Sequence, residues 1–303
     1  MKTVIFFLFI ALWGGTRVCA QQHAMELHLQ TVLAQNELAK RKQNRVKSVE
    51  EITRVSRTHR EFDRNGKPLH AVVYFKDQPL ITTGYTYDNK GNAIEKRMEN
   101  ASGIPTMVVT CTYDEHENTV SEITSPANEP EQKVQWFYNE KRKPVKEIRD
   151  VYLFAQTFTY EYDAEGKRIK TTETNSEFEG AEWISVFDYN TASQMTGQKW
   201  FRIGQPDTSY CFAKYDTQGN LSEITTADAI TESRQVFTWS AKGELLKKQE
   251  WFKFPGQFYK TEADYMEEYE YDENGNVVKT ITTETADKRV TVVEFVYGFY
   301  EGN

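Results

Sequence analysis

The 303-residue sequence predicts an all-β fold. The expected form is a broad, curled antiparallel meander or barrel of about 18–20 strands, preceded by an N-terminal helix. Three observations predict it. First, an aromatic–Asp/Asn–x–x–Gly phrase recurs, as in Phe62-Asp63-Arg64-Asn65-Gly66, Tyr87-Asp88-Asn89-Lys90-Gly91 and Tyr271-Asp272-Glu273-Asn274-Gly275. Second, its period is nearly fixed. The anchoring aromatics Phe62, Tyr87, Tyr113, Tyr138, Tyr162, Tyr189, Tyr215, Trp239, Tyr271 and Tyr297 lie 25, 26, 25, 24, 27, 26, 24, 32 and 26 residues apart. Third, another aromatic usually stands two residues before the anchor, as in Tyr85/Tyr87, Trp136/Tyr138, Phe187/Tyr189 and Tyr269/Tyr271.

The elements follow in chain order. Residues 1–20 read as a signal peptide: Lys2 is basic, Val4 to Trp13 is an apolar run, and Val18-Cys19-Ala20 has the small-residue spacing of a cleavage site. Export to the periplasm, cell surface or exterior follows. The apolar run is too short to span a bilayer, and no later stretch makes a transmembrane helix. Residues 21–58 read as a helical arm. Met25, Leu29, Val32 and Leu33, and then Val46, Val49 and Ile52, follow helical spacing, and Gly and Pro are absent from 23–58. This helix either caps the sheet or extends from it as a polar arm.

Residues 59–303 form the β-hairpin repeat domain. The paired aromatics occupy positions i and i+2, one face of a strand, with mostly polar residues between them. That alternation marks a half-buried antiparallel strand. The Asp accepts hydrogen bonds from backbone N–H groups of the turn, and the Gly takes positive φ. A type I turn with a Gly bulge then joins two strands, so each period of about 25 residues is one hairpin. A sheet this wide curls to hide its edges, and a closed ring is about 30 Å across.

The phrase Tyr269-Glu270-Tyr271-Asp272-Glu273-Asn274-Gly275-Asn276-Val277-Val278 resembles the tyrosine–aspartate (Rhs-type) repeat of bacterial shell proteins and teneurins. Residues 85–94 and 213–221 are similar. The chain also resembles exported Bacteroidetes repeat proteins of porin-like fold and no known function. The resemblance covers about residues 60–297. It implies hairpins strung into a curved sheet, and export, and it implies no catalytic residue. Shells that enclose toxins are far longer and carry a self-cleaving motif after the repeats. Nothing comparable follows Tyr297, so toxin encapsulation is not carried over.

Charge and composition bound the function. The net charge is −8, or −10 once Lys2 and Arg17 (+2) are removed with the signal peptide. This disfavours nucleic acid as a partner. A local exception is the basic cluster Lys40, Arg41, Lys42, Arg45 and Lys47, read as a solvated face ahead of a phosphate-binding patch. Cys111 and Cys211 sit four periods apart, and their pairing is left open between a disulfide and two core thiols. His23, His28, His59, His70 and His116 have no metal-ligand spacing, and no Gly-rich phosphate loop or Gly-x-Ser-x-Gly elbow occurs. No catalytic residue, metal or cofactor is therefore expected.

The most suggestive irregularity is aromatic. Trp200-Phe201-Arg202 resembles Trp251-Phe252-Lys253-Phe254, and the second lies in the 32-residue period with Phe258 and Tyr259. Long loops on a rigid scaffold commonly carry function. Aromatic faces stack on sugars or apolar groups, while Arg202 and Lys253 suit acidic ones. These nine residues, 200–202, 251–254, 258 and 259, are the candidate ligand site. The leading expectation is a non-enzymatic binding or scaffold module for a glycan, peptide or envelope component. An outer-membrane β-barrel and a carbohydrate-active enzyme using loop carboxylates are the alternatives.

Overall fold

The structure, a computed structural model, describes residues 38–301 apart from 152–153, 206–207 and 255. The signal peptide and residues 21–37 of the helical arm lie outside the described residues. A short helix α1 spans 38–43. Twenty strands follow. The first seven are β1 (Val46–Ile52), β2 (Ser56–Phe62), β3 (Pro68–Phe75), β4 (Gln78–Tyr87), β5 (Ala93–Asn100), β6 (Pro105–Tyr113) and β7 (Thr119–Pro126). The next seven are β8 (Gln132–Tyr138), β9 (Pro144–Val151), β10 (Phe154–Tyr162), β11 (Arg168–Asn175), β12 (Glu182–Tyr189), β13 (Met195–Arg202) and β14 (Thr208–Tyr215). The last six are β15 (Leu221–Ala227), β16 (Glu232–Trp239), β17 (Leu245–Lys253), β18 (Tyr265–Tyr271), β19 (Val277–Glu284) and β20 (Arg289–Phe299).

Each strand pairs antiparallel with its neighbours in chain order. β20 then pairs back onto β1, from Val46↔Phe299 to Ile52↔Glu294, and closes the sheet into a barrel. At a strand spacing of roughly 4.8 Å the ring is about 30 Å wide before tilt.

The turns form as their chemistry dictates. The Asp63 carboxylate accepts from the backbone N–H of Asn65 and of Lys67, both at 2.8 Å. The Gly66 N–H donates to the Asp63 carbonyl at 2.9 Å, and Gly66 has φ = 78°. Asp88, Asp114, Asp216 and Asp272 repeat the carboxylate bonds. The register slips at the anchor, for example between Glu61 and Phe62 and between Glu270 and Tyr271, which is the expected bulge. Where Gly is replaced, Glu117, Arg142 and Ser193 still adopt φ of 63°, 60° and 63°. Each costs about 1 kcal/mol of backbone strain, so the surrounding ladder imposes the turn.

The anchors form a belt. The Tyr87 hydroxyl donates to the Pro68 carbonyl at 2.6 Å, Tyr113 to Ala93 at 2.7 Å, and Tyr138 to Thr119 at 2.7 Å. Tyr162, Tyr189, Tyr215, Tyr271 and Tyr297 do the same, and Trp239 uses its indole N–H. Each acceptor follows the preceding phrase, so every turn is tied to the one before it. Lys67 and Lys143 add side-chain bonds to the Gly91 and Gly166 carbonyls at 2.5 and 2.6 Å.

The two faces differ in burial. Phe187, Cys211 and Phe237 on the anchor face are buried, whereas Phe137, Val186 and Phe212 on the other face are exposed. No second layer covers the sheet among the described residues. The buried face is therefore the concave, inner one, where side chains converge. An apolar arc of Phe187, Met195, Cys211, Leu221, Ile224, Phe237 and Leu245 lines β12 to β17. Cys111 and Cys211 are both free thiols, on β6 and β14.

The helical reading of residues 21–58 requires correction. Helix persists only over 38–43, and Val46 to Ile52 is strand β1. Val46 pairs with Phe299 and Ser48 with Gly298, so Lys47 is bulged out. The bulge brings Val46 and Val49 onto one buried face, at a three-residue spacing that mimics a helix. The barrel therefore starts at Val46 rather than near residue 59. α1 stands where a tenth turn would join β20 to β1. Lys40 Nζ donates to the Gly275 carbonyl at 2.8 Å, and Asn44 Nδ2 donates to Asn276 Oδ1 at 2.8 Å. On the other side Arg41 lies 4.5 Å over the Phe62 ring, and a Cβ on Gly66 would stand 3.2 Å from Leu38 Cδ1.

Two outcomes follow. Tyr215→Phe deletes the 2.8 Å bond to Met195 and is expected to cost about 1 kcal/mol in urea unfolding. Turn hydrogen bonds hold the Asp88 and Asp216 carboxyls below their ordinary value of 3.8, chiefly those of Asn92 and Asn220 respectively. That contribution is present above the unfolded value and is lost as pH falls through the depressed one. The melting temperature should hold from about pH 7 to about pH 5 and decline below about pH 4.

Candidate functional site

The structure separates the aromatic residues singled out in the sequence. Trp200 lies on the inner wall of β13, paired with Ser185 and Ser209. Phe201 points outward, with Lys199 5.5 Å over its ring. On β17 the faces are reversed. Trp251 is outward, 5.6 Å below the Arg234 guanidinium, and Phe252 is inward, edge-on to Tyr265 at 6.0 Å. The two similar segments are one residue out of phase with their turns. Trp200 is seven residues after Ser193, and Trp251 is eight after Gly243.

Arg202 packs over Trp183 at 5.2 Å. Lys253 pairs with Glu232 at 2.7 Å and covers the Tyr259 ring at 4.8 Å. Phe254 and Phe258 project into solvent, Phe258 at 95% exposure. β14, β15 and β16 separate the two groups, a span of roughly 20 Å, so they make no single site. The acids beside the second group, Glu232 and Asp264, are each paired with a lysine, Lys253 and Lys260.

A cavity lies at the seam instead, on the inner wall where α1 meets β18, β19, β20, β1 and β2. Its volume is about 350 Å³. Lys40, Arg41 and Arg60 bring positive charge, and Phe62, Tyr269, Phe295 and Tyr297 supply ring surface. Val49, Val277, Asn276 and Thr280 complete the described lining, which includes no carboxylate. The local folding explains the convergence. Arg60 stands two residues before the anchor Phe62, where other copies place an aromatic. Val49↔Arg60 and Val49↔Tyr297 pairing puts these side chains on one face. Arg60 is held by Glu51 at 2.8 Å. Tyr269 donates to Glu267 at 2.7 Å, and burial together with that carboxylate pushes its phenol well above the ordinary range.

Sequence reasoning marked Lys40 and Arg41 only as part of a basic arm. The signal available for Arg60 was its place as the one charged residue among the positions two before an anchor.

A second polar group lines the inner wall from β5 to β10. Glu147 is buried and accepts from Trp136 Nε1 at 3.0 Å, from the Tyr160 hydroxyl at 2.7 Å and from Arg149 Nε. Two strands away, Glu122 accepts a weak bond from Cys111 Sγ at 3.8 Å. Burial raises Glu122 and lowers Lys96, and each opposes the other's shift. Burial pushes the Cys111 thiol up to about 12, with Glu122 adding to the effect. No cluster of His, Cys, Asp and Glu suited to a metal ion occurs among the described residues.

Comparisons with known proteins are limited. A family model described only as "Uncharacterised protein" matches residues 32–177. No curated protein matches. The solved structure of TcdB2-TccC3-TEV is 14% identical with a TM-score of 0.45, covering 82% of this chain and 13% of that one. A porin-like protein from Bacteroides uniformis is 8% identical with a TM-score of 0.36, covering 84% and 97%. One from Bacteroides vulgatus is 10% identical with a TM-score of 0.32, covering 84% and 98%. The chain spans 13% and 20% of the two TcdB2-TccC3 chains it matches. At these values the function must be argued from the barrel's own residues.

Glu147→Gln should cost about 1.5–3 kcal/mol, because it removes the charge that two neutral donors and one cation share. Tyr160→Phe should cost less, and denaturant titration compares them. Cys111 and Cys211 should resist maleimide in the native protein and label fully in denaturant, as mass spectrometry of their peptides reads directly.

Proposed function

We propose that the chain is a non-enzymatic barrel of the bacterial envelope that stands in water and binds its ligand from the inner wall. The observation that carries this reading is the charge on the outer wall. Glu161–Lys170 pair at 2.8 Å, Lys214 and Arg234 flank Glu223 at 2.6 and 2.7 Å, and Glu270–Lys279 pair at 3.2 Å. Lys247–Glu268 and Arg97–Glu99 extend the pattern around the barrel. In water such exposed pairs are nearly neutral in energy. On a lipid-facing wall each cation near the midplane costs about 2–4 kcal/mol. That wall also exposes apolar side chains, Val186, Tyr210 and Phe212 on β12 to β14 and Val290, Val292 and Val296 on β20. The charged pairs stand on β14 and on strands between these groups, so no uncharged band encircles the barrel and the porin-type reading is the weaker one.

Export is supported by the signal-like first twenty residues. A binding role is supported by the contrast between the walls: ion pairs outside, and converging rings and buried polar groups inside.

Fractionation of the producing cell tests the placement. The protein should appear in the soluble envelope fraction and remain monodisperse without detergent. Retention in the membrane through high-salt and urea washes, with release only by detergent, rejects the reading. Turnover of a glycan or peptide abolished by one carboxylate substitution rejects its non-enzymatic part.

A further inference from the structure

From the seam cavity we infer a binding site for a small ring-bearing anion: an aromatic ring carrying a carboxylate or phosphate. The inference rests on the binding-barrel reading and adds the place and the chemistry. Three features carry it. The cavity, at about 350 Å³, falls at the small end of the range of ligand sites, about 300–1,000 Å³. Its cations come from separate elements, Lys40 and Arg41 from α1 and Arg60 from β2, and the β1–β2 hairpin with α1 packed on Phe62 brings them together. Closure of the barrel adds the opposite wall of β18 to β20. The chain as a whole is anionic at −8, yet the lining itself carries three cations, while the carboxylates bonded to lining residues, Glu51, Glu267 and Asp272, are engaged by Arg60, Tyr269 and Asn276.

The remaining lining selects the ring. Phe295 and Tyr297 offer apolar faces and edges, while Phe62 lies buried beneath Arg41 as the floor. The obvious polar partners for sugar hydroxyls are already used: Tyr297 donates to the Val277 carbonyl at 2.8 Å, and Asn276 is bonded to Asp272 and Asn44. A sugar would find only Thr280 and the cations themselves as polar partners, whereas a planar aromatic ring asks for none beyond its anionic group. Arginine presents a planar fork suited to either carboxylate or phosphate oxygens. The cations hold their places without ligand through Gly275, the Phe62 ring and Glu51, so little ordering accompanies binding.

Calorimetry and backbone NMR on the purified mature protein test the inference with four probes: benzoate, phenyl phosphate, benzyl alcohol and glucuronate. At least one aromatic anion should bind saturably and shift amides of α1 and of β20. Benzyl alcohol and glucuronate should each bind at least tenfold more weakly. Which anion binds better identifies the preferred head group. Arg60→Gln and Arg41→Gln should each weaken the anion at least tenfold, while Arg234→Gln on the outer wall leaves it unchanged. If either seam variant fails to fold, the amide shifts of the unsubstituted protein decide. Absence of saturable binding, equal affinity for benzyl alcohol, or shifts confined to another wall overturns the site. Binding of a different ligand elsewhere on the inner wall overturns the site alone and leaves the binding-barrel reading standing. A protein that requires detergent overturns that reading instead.

Discussion

The barrel depends on one repeated bond, from the anchor tyrosine hydroxyl to a backbone carbonyl beside the preceding turn. A β-hairpin alone is marginal in water, and a chain of hairpins is a flexible ribbon. The ring of Tyr87, Tyr113 and their successors sits on the concave face and fixes the distance between successive turns. It also gives the half-buried phenols a partner, without which each would carry a desolvation cost. Burial pushes these phenols up, Tyr138 to about 12, so they remain neutral donors across physiological pH. Trp239 shows that the donor matters more than the residue type, since an indole N–H fills the same role at Leu221.

The seam is where that rule is broken and replaced. Phe62 has no hydroxyl, and no tight turn joins β20 to β1. Tyr300 donates to the Phe62 carbonyl at 2.5 Å, and α1 supplies Lys40 to Gly275 where repeats use Lys67 or Lys143. The helix thus imitates a turn with side chains. The cavity lies beneath it on the inner wall and is lined in part by the helix's own cations, Lys40 and Arg41.

Much of the fold was legible in the sequence because its signals are local. Asp63 and Gly66 act within five residues, and Tyr85 with Tyr87 declares a strand face without reference to anything distant. The misreadings arose where a bulge changed the phase. Val46 and Val49 looked helical because Lys47 is skipped in the ladder. Trp200-Phe201 and Trp251-Phe252 looked equivalent, yet a one-residue shift against their turns turns them to opposite walls. The seam cavity was illegible for another reason. Lys40 and Gly275 are 235 residues apart and meet only when the ring closes.

That separation also bears on how the chain assembles. Nineteen of the twenty strand junctions join strands that are consecutive in sequence, so they form locally and at low loop-closure entropy. The β1–β20 junction alone links the two ends of the described chain. Until it forms, the protein is an open ribbon with two long unpaired edges, the arrangement most prone to pair with another molecule. Since any antiparallel ring needs an even number of strands, whole hairpins can be gained or lost in evolution while single strands cannot. The seam is then the fixed fastening of a belt whose length is adjustable.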